Sequence, residues 1–219
     1  PVNATTGPDG CLYILDMYRE FIEDPSAIPD DILKYLDMLS GNDRGRVYRI
    51  QPEGFKRPVL PVLAGAGISA LVDALHDPNG WTRDTAHRLI YERQDRTAVR
   101  HLFKAFAEAK RPQTRLHVLW SLEGLGALDT PILLKAMDDA HWAVREHAVR
   151  LADQYFILSP GLVSKVCDLA DDPSAKVVFQ VVLSLGRLQS DAAVETLARI
   201  GATYLDNHWM RVAVLNASA

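Results

Sequence analysis

The sequence predicts a mainly α-helical solenoid of about five helix pairs, preceded by a small β fragment. Arg83, Arg115, Arg145 and Arg211 stand at the same point of four segments, and Val178 takes that place in a fifth, at intervals of 32, 30, 33 and 33 residues. Self-similarity at such a period marks a stack in which each helix pair buries its apolar face only against its neighbours. Between these positions apolar residues recur at helical spacing. The first fifty residues share neither pattern and read as β-prone runs between turn residues.

The chain has 219 residues, 48% hydrophobic and 24% charged, with a net charge of −4. That is the balance of a soluble globular protein. Residues 1–50 carry nine acids against five bases, and residues 51–219 carry nineteen of each. An even balance argues against a general nucleic-acid binder, which needs surplus cations to displace counterions from phosphate. Cys11 and Cys167 lie far apart, outside any Cys-x-x-Cys pair, so no disulfide is expected. No apolar run approaches the roughly 20 residues of a membrane helix, and no signal peptide is present. The chain opens on Pro1-Val2-Asn3 without a methionine, which leaves room for it to be an internal piece.

In residues 1–51, Gly7-Pro8-Asp9-Gly10 is a turn: proline presets φ, aspartate caps the local backbone and glycine accepts positive φ. A strand is expected over residues 11–18, a short helix from Pro29 to Leu39 with Asp30 and Asp31 at its N-terminus, and a second strand over 45–50. Two or three strands cannot bury a sheet on both faces, so this segment reads as an incomplete domain.

A proline-rich connector, residues 52–64, leads into repeats at about 65–95, 96–127, 128–158, 159–189 and 190–219. Each reads as an outer helix, a turn and an inner helix. The outer helices carry Ile68, Leu71, Val72 and Leu75; Val99, Leu102, Phe103 and Phe106; Ile132, Leu133, Ala136 and Met137; Leu162, Val163, Val166 and Leu169; and Val194, Leu197 and Ile200. The turns are marked by Asp77-Pro78, Arg111-Pro112, Asp138-Asp139, Asp172-Pro173 and Asp206-Asn207. The fifth pair ends at Ala219 without a polar cap, so the stack is expected to continue.

Two stretches at the start, residues 1–19 with Gly7-Pro8-Asp9-Gly10 and Leu12-Tyr13-Ile14-Leu15-Asp16-Met17-Tyr18-Arg19, and residues 41–50, resemble the closing blade of a β-propeller. The propeller is that of the large secreted, membrane-bound-dehydrogenase-like proteins of planctomycetes and verrucomicrobia, similar to the glucose/sorbosone dehydrogenase propellers. The strings at 77–86, 115–126 and 144–151 resemble the HEAT-like repeats that follow the propeller in that family. The resemblance implies a HEAT-like superhelix, a secreted or periplasmic location, and other domains of the same polypeptide as partners, among them a cytochrome domain carrying haem c. This segment has no Cys-x-x-Cys-His motif and most of the propeller is missing, so no cofactor and no dehydrogenase site are placed on it.

Arg83, Arg115 and Arg145 open inner helices near Asp77 and Asp139, the pattern of an Asp–Arg ladder tying repeats together. Two positions further on stand Thr85, His117, His147 and Gln180, and three further again Arg88, Trp120, Arg150 and Leu183. With inner helices roughly 8–10 Å apart, these form two rows on one surface. Arg88, His117, Trp120, Glu123, His147 and Arg150 are the candidate binding strip, since an aromatic beside arginine is interface chemistry; the competing reading makes Trp120 core and the histidines solvated. No histidine pair has the three- or four-residue spacing of helical metal ligands, so no metal is expected. Asp9, Asp16 and Arg19 could face a propeller ligand or a calcium ion, or serve as turn caps. No Gly-x-Ser-x-Gly elbow, phosphate loop or dinucleotide fingerprint occurs, so no catalytic residue is assigned.

The first functional reading is a scaffold segment of a large exported dehydrogenase-like, cytochrome c-linked protein, with the solenoid as rigid spacer and docking surface. The second is a stand-alone repeat module binding a protein or peptide, with the β segment as its cap. A DNA-glycosylase reading, using Trp120 and Arg150 on a concave strip, is opposed by the neutral charge.

Overall fold

The computed structural model describes residues 2–156 and 159–218. Pro1, which opens the blade-like string, Ala219, where the fifth repeat was drawn to end, and residues 157 and 158, at the end of the third, lie outside the described residues. By internal contacts the chain divides into two units, residues 1–65 with 77–85 and residues 66–76 with 86–219.

In the first unit, β1 (Asn3–Thr6), β2 (Leu12–Asp16) and β3 (Arg46–Ile50) form an antiparallel meander in that order. β1 is a strand the sequence pattern did not mark. Its Asn-Ala-Thr-Thr run has little apolar character, and pairing from Asn3 opposite Leu15 to Thr6 opposite Leu12 makes it a strand. The 7–10 turn closes as expected, with Gly10 at φ +80° and its N–H donating to the Gly7 carbonyl at 3.0 Å. Gly7 itself is required by close approach: a Cβ there would lie 2.2 Å from the Tyr13 ring.

Asp9 fastens this meander. Its carboxylate accepts from the Cys11 N–H at 3.0 Å, the Tyr13 hydroxyl at 3.1 Å and Arg49 Nε at 2.8 Å. Burial alone would raise its pKa; these hydrogen bonds and the Arg49 charge outweigh it and hold the carboxyl below its ordinary value. Asp9 is thus a structural staple of the sheet. Asp16 accepts from the Tyr18 N–H at 3.0 Å as a turn cap, and Arg19 donates from Nη2 to the Met38 carbonyl.

The helix drawn from Pro29 to Leu39 is shorter, α1 spanning Asp30–Leu33. Beyond it the Tyr35 and Leu36 N–H groups reach back only three residues, and Asp37 captures the Leu39 N–H at 3.0 Å, a side-chain bond that competes with the helix. Leu12 and Ile50 are exposed on one face of the sheet, and Leu15 and Val47 on the other.

The remaining helices follow in chain order as α2 (Ile68–Ala74), α3 (Gly80–Arg93), α4 (Ala98–Glu108), α5 (Pro112–Gly124), α6 (Thr130–Met137), α7 (Trp142–Ala152), α8 (Pro160–Asp168), α9 (Ala175–Leu185), α10 (Asp191–Thr203) and α11 (His208–Ala217). Even-numbered helices are outer and odd-numbered ones inner. Within the second unit α4 packs on α5, α6 on α7 and α10 on α11, while α5, α7, α9 and α11 pack in succession. The core between the layers includes Leu71, Leu75, Ile90, Leu102, Leu119, Leu122, Leu133, Met137, Leu162 and Leu185, each essentially without solvent contact. Val194 departs from the expected face. It is 64% exposed, because α10 turns Ala193, Leu197 and Ile200 inward instead.

The stack is registered by arginine, in a pattern that differs from the expected one in its aspartates. Arg145 donates from Nη1 to the Asp139 carbonyl of its own turn at 2.8 Å. Its Nε and Nη2 grip both Asp172 oxygens of the next turn, at 2.6 and 2.8 Å. Arg115 repeats this, reaching the Ala109 carbonyl at 2.8 Å and the Asp139 carboxylate at 2.9 Å from Nη2. Each rung runs forward to the aspartate 24 or 27 residues on. Asp139 and Asp172 are therefore the two rungs among the described residues, and Asp172 is marked by the sequence pattern only as a turn.

Asp77 is not a rung. Its carboxylate accepts from the Asn79 N–H at 2.7 Å, and Arg83 donates to the Asp77 and Pro78 carbonyls, all within one turn. The reason is register: six residues before Arg115, where the pattern calls for the next acid, stands Ala109. In the fourth repeat Val178 replaces the arginine, and Leu205 stands where its aspartate would be, so both members of the rung are absent; Val178 is buried while Leu205 is 62% exposed.

Removing one partner of a buried pair leaves the other charge uncompensated, at about 3–5 kcal/mol, and the Asp172 side chain is only 2% exposed. Arg145→Val alone is expected to lower stability by about 3 kcal/mol. Arg145→Val with Asp172→Leu, which places at this rung the residues that stand at 178 and 205, is expected to recover most of that loss by leaving no unpaired charge. Urea unfolding of the two single variants and the double variant checks both expectations through their coupling.

Candidate functional site

Trp120 and Glu123 lie one turn apart on α5, and Arg150 occupies on α7 the place that Trp120 has on α5. A 3-10 turn, Asp153–Tyr155, continues α7 and carries Asp153 and Gln154. Together with Gln180 and Leu183 of α9, and Arg187 just past its end, these residues line a shallow groove of about 590 Å³. The end of α5 is fixed by a glycine cap. Gly126 sits at φ +59°, and the Ala127 N–H reaches the Leu122 carbonyl at 2.8 Å while the Gly126 N–H reaches Glu123.

The indole is the centre of the site. Trp120 Nε1 donates to His147 Nδ1 at 3.1 Å, with the rings edge-on at 84°. The Arg150 guanidinium lies 5.6 Å from the Trp120 ring, a cation–π contact. Because Nδ1 accepts, the neutral His147 ring carries its proton on Nε2. Burial lowers the pKa of His147, aided by Arg150 and opposed by Glu146. Trp120 is thus neither wholly core nor solvated: its N–H is satisfied inward and it helps to line the groove.

Asp153 forms the floor. Its side chain is 16% exposed and stands 3.6 Å from Arg187. Burial pushes its pKa up, against the Ser184 hydroxyl and the Arg187 and Arg150 charges. Its Oδ1 is enclosed and has no hydrogen-bond donor among the described residues.

Of the strip read from the sequence, Trp120, Glu123 and Arg150 come together in the groove, and His147 braces the indole from the side. Arg88 does not line it. It pairs with Glu92 of its own helix at 2.9 Å. His117 does not line it either, standing with its ring 5.7 Å from that of His87, which shares a 3.0 Å contact with Ser121 Oγ. Asp153, Gln154 and Arg187 were missed. The signal for Asp153 was present: it lies eight residues after Arg145, as Glu123 lies eight after Arg115. Among the described residues no three His, Cys, Asp or Glu side chains gather as metal ligands. Cys11 and Cys167 are both free. None of the described helices is long and apolar enough to cross a membrane.

Comparison with known proteins bears on both units. Residues 1–54 match the model described as domain of unknown function (DUF7133). Residues 130–213 match the model for HEAT repeats. Among solved structures, a designed armadillo repeat protein in complex with the peptide (KR)4 is similar at 19% identity, over 69% of this chain and 80% of that one, with a TM-score of 0.45. No curated protein matches the chain. The fold is a HEAT-like α-solenoid with a small antiparallel sheet at the N-terminal end.

The His147–Trp120 contact carries a pH signature. The folded pKa lies below the unfolded value of about 6.5, so between the two the unfolded chain binds more protons and stability rises with pH. The contribution of His147 is present above about pH 6.5 and is lost as the pH falls through the folded pKa. His147→Gln is expected to flatten stability between pH 7 and 5, measured as urea midpoints across that range.

Proposed function

We propose that this chain is a docking scaffold, a HEAT-like solenoid that holds a protein partner in the groove centred on Trp120. The observation that carries the proposal is that groove: an indole fixed by His147, flanked by guanidinium and amide groups and open to solvent across three consecutive inner helices. Aromatic and arginine side chains at the centre of a recess are the chemistry of interface hot spots. The proposal assigns no catalysis to this segment.

The finer proposal places the segment inside a large exported, dehydrogenase-like, cytochrome c-linked protein. There the solenoid is a spacer and docking surface between a propeller and a domain carrying haem c, and the segment itself holds no cofactor. Two things support it: the order of a blade-like string followed by repeats, and a sheet with exposed apolar residues on both faces. A second reading, a free-standing module whose β unit is a cap, is favoured by Asn79. Its amide donates to the Gly7 and Pro8 carbonyls at 3.0 and 2.9 Å, tying the first turn of the meander to residues 77–85.

The species carrying this sequence, purified from its native source, is expected to be far heavier than 24.3 kDa and to stain for covalent haem. Intact mass and a haem-stained gel measure both. A haem-free species near 24 kDa would sink the dehydrogenase-like setting and leave the free-standing module.

A further inference from the structure

We propose that the groove between α5, α7 and α9 takes an extended acidic peptide segment, whose carboxylates sit on Arg150 and Arg187. This rests on the docking reading above and gives it a partner chemistry.

The arginines of the second unit differ in how far their charge is already satisfied. Arg115 and Arg145 are held by turn carbonyls and paired with Asp139 and Asp172. Arg88 is paired with Glu92 at 2.9 Å. Arg150 differs. It is exposed, makes no ion pair among the described residues, and rests its guanidinium over the Trp120 ring. A guanidinium held against an aromatic face loses little further freedom on binding, and its planar fork matches a carboxylate in two-point fashion. Arg187, across the groove, is 75% exposed and meets Asp153 only at 3.6 Å, a contact worth little at the surface.

The two acids of the groove are less accessible: Glu123 and Asp153 are both half-buried, while Arg150 and Arg187 stand exposed at its rim. An arriving cation meets two guanidinium groups before it reaches Asp153, whereas an arriving carboxylate meets them first. The rim therefore selects negative charge. The choice of a peptide over a small acid follows from the recess. It is open, spans three helices, and carries Gln154 and Gln180 among its lining residues. Gln180 donates from Nε2 to Ser184 Oγ at 3.1 Å, which leaves its carbonyl oxygen to accept from a peptide N–H.

The test is fluorescence anisotropy of the full 219-residue chain with fluorescein-labelled (Glu-Ala)4 and, as counter-probe, (Lys-Ala)4, at low and moderate salt. The acidic peptide is expected to bind and the basic one not, with affinity falling as salt rises. Arg150→Gln and Arg187→Gln are each expected to weaken binding about tenfold, near 1.4 kcal/mol. Arg150→Lys is expected to weaken it as well, because the charge survives but the fork is lost. Lys104→Gln, on the outer helix α4, is expected to leave binding unchanged. Melting temperatures within about 2 °C of the parent chain establish that each variant is folded. Acidic-peptide binding that survives Arg150→Gln and Arg187→Gln overturns the proposal. Binding of the basic peptide that is lost in Asp153→Asn overturns the acidic assignment while keeping the docking reading. Failure of both peptides to bind overturns both.

Discussion

The rest of the solenoid depends on one contact, the arginine that opens an inner helix and clasps two turns at once. Arg145 reads the carbonyl of its own turn and both oxygens of Asp172 in the next. Apolar packing drives helices together without fixing their register, since the hydrophobic effect is non-directional. The two-point grip on Asp172 fixes it. The same aspartates also close the turns that lead into α7 and α9, Asp139 accepting from the His141 N–H and Asp172 from the Ser174 N–H, each at 2.8 Å. One carboxylate thus closes a turn and anchors the previous repeat, and the groove between α5, α7 and α9 inherits its geometry from that shared use.

Much of this was legible in the sequence. The 30- to 33-residue spacing placed each inner helix, and helical periodicity found the buried faces of α2, α4, α6 and α8, because in a two-layer stack burial follows local period. Val194 was misplaced because α10 carries apolar residues on two adjacent faces, and only the packing decides which turns inward. β1 was invisible for a similar reason, since a polar strand is made by its neighbour rather than by its own residues. The rungs were half legible. Proximity in sequence suggested Asp77 for Arg83, yet the true partner of each rung lies one repeat ahead, and sequence distance gives no direction along a stack. Trp120, Glu123 and Arg150 were found by register, while Asp153 was passed over because it falls beyond the α-helix, in a 3-10 turn.

The β unit obeys a different logic. It is held by one buried carboxylate, Asp9, with donors from a backbone N–H, a phenol and a guanidinium, while the apolar residues of its sheet remain exposed on both faces. Its order comes from polar stapling more than from a core, which the solenoid unit has in full. Two units of one chain therefore reach stable structure by different means.

The Val178/Leu205 register shows what it means to mix forces along one stack. An ionic rung is directional: Arg145 must meet both Asp172 oxygens at once, so it holds one register. Where Val178 stands, the repeat relies on apolar packing instead, which is non-directional and weakens on cooling. Cooling therefore bears hardest on the repeat that gave up its arginine, where no two-point rung adds to the packing.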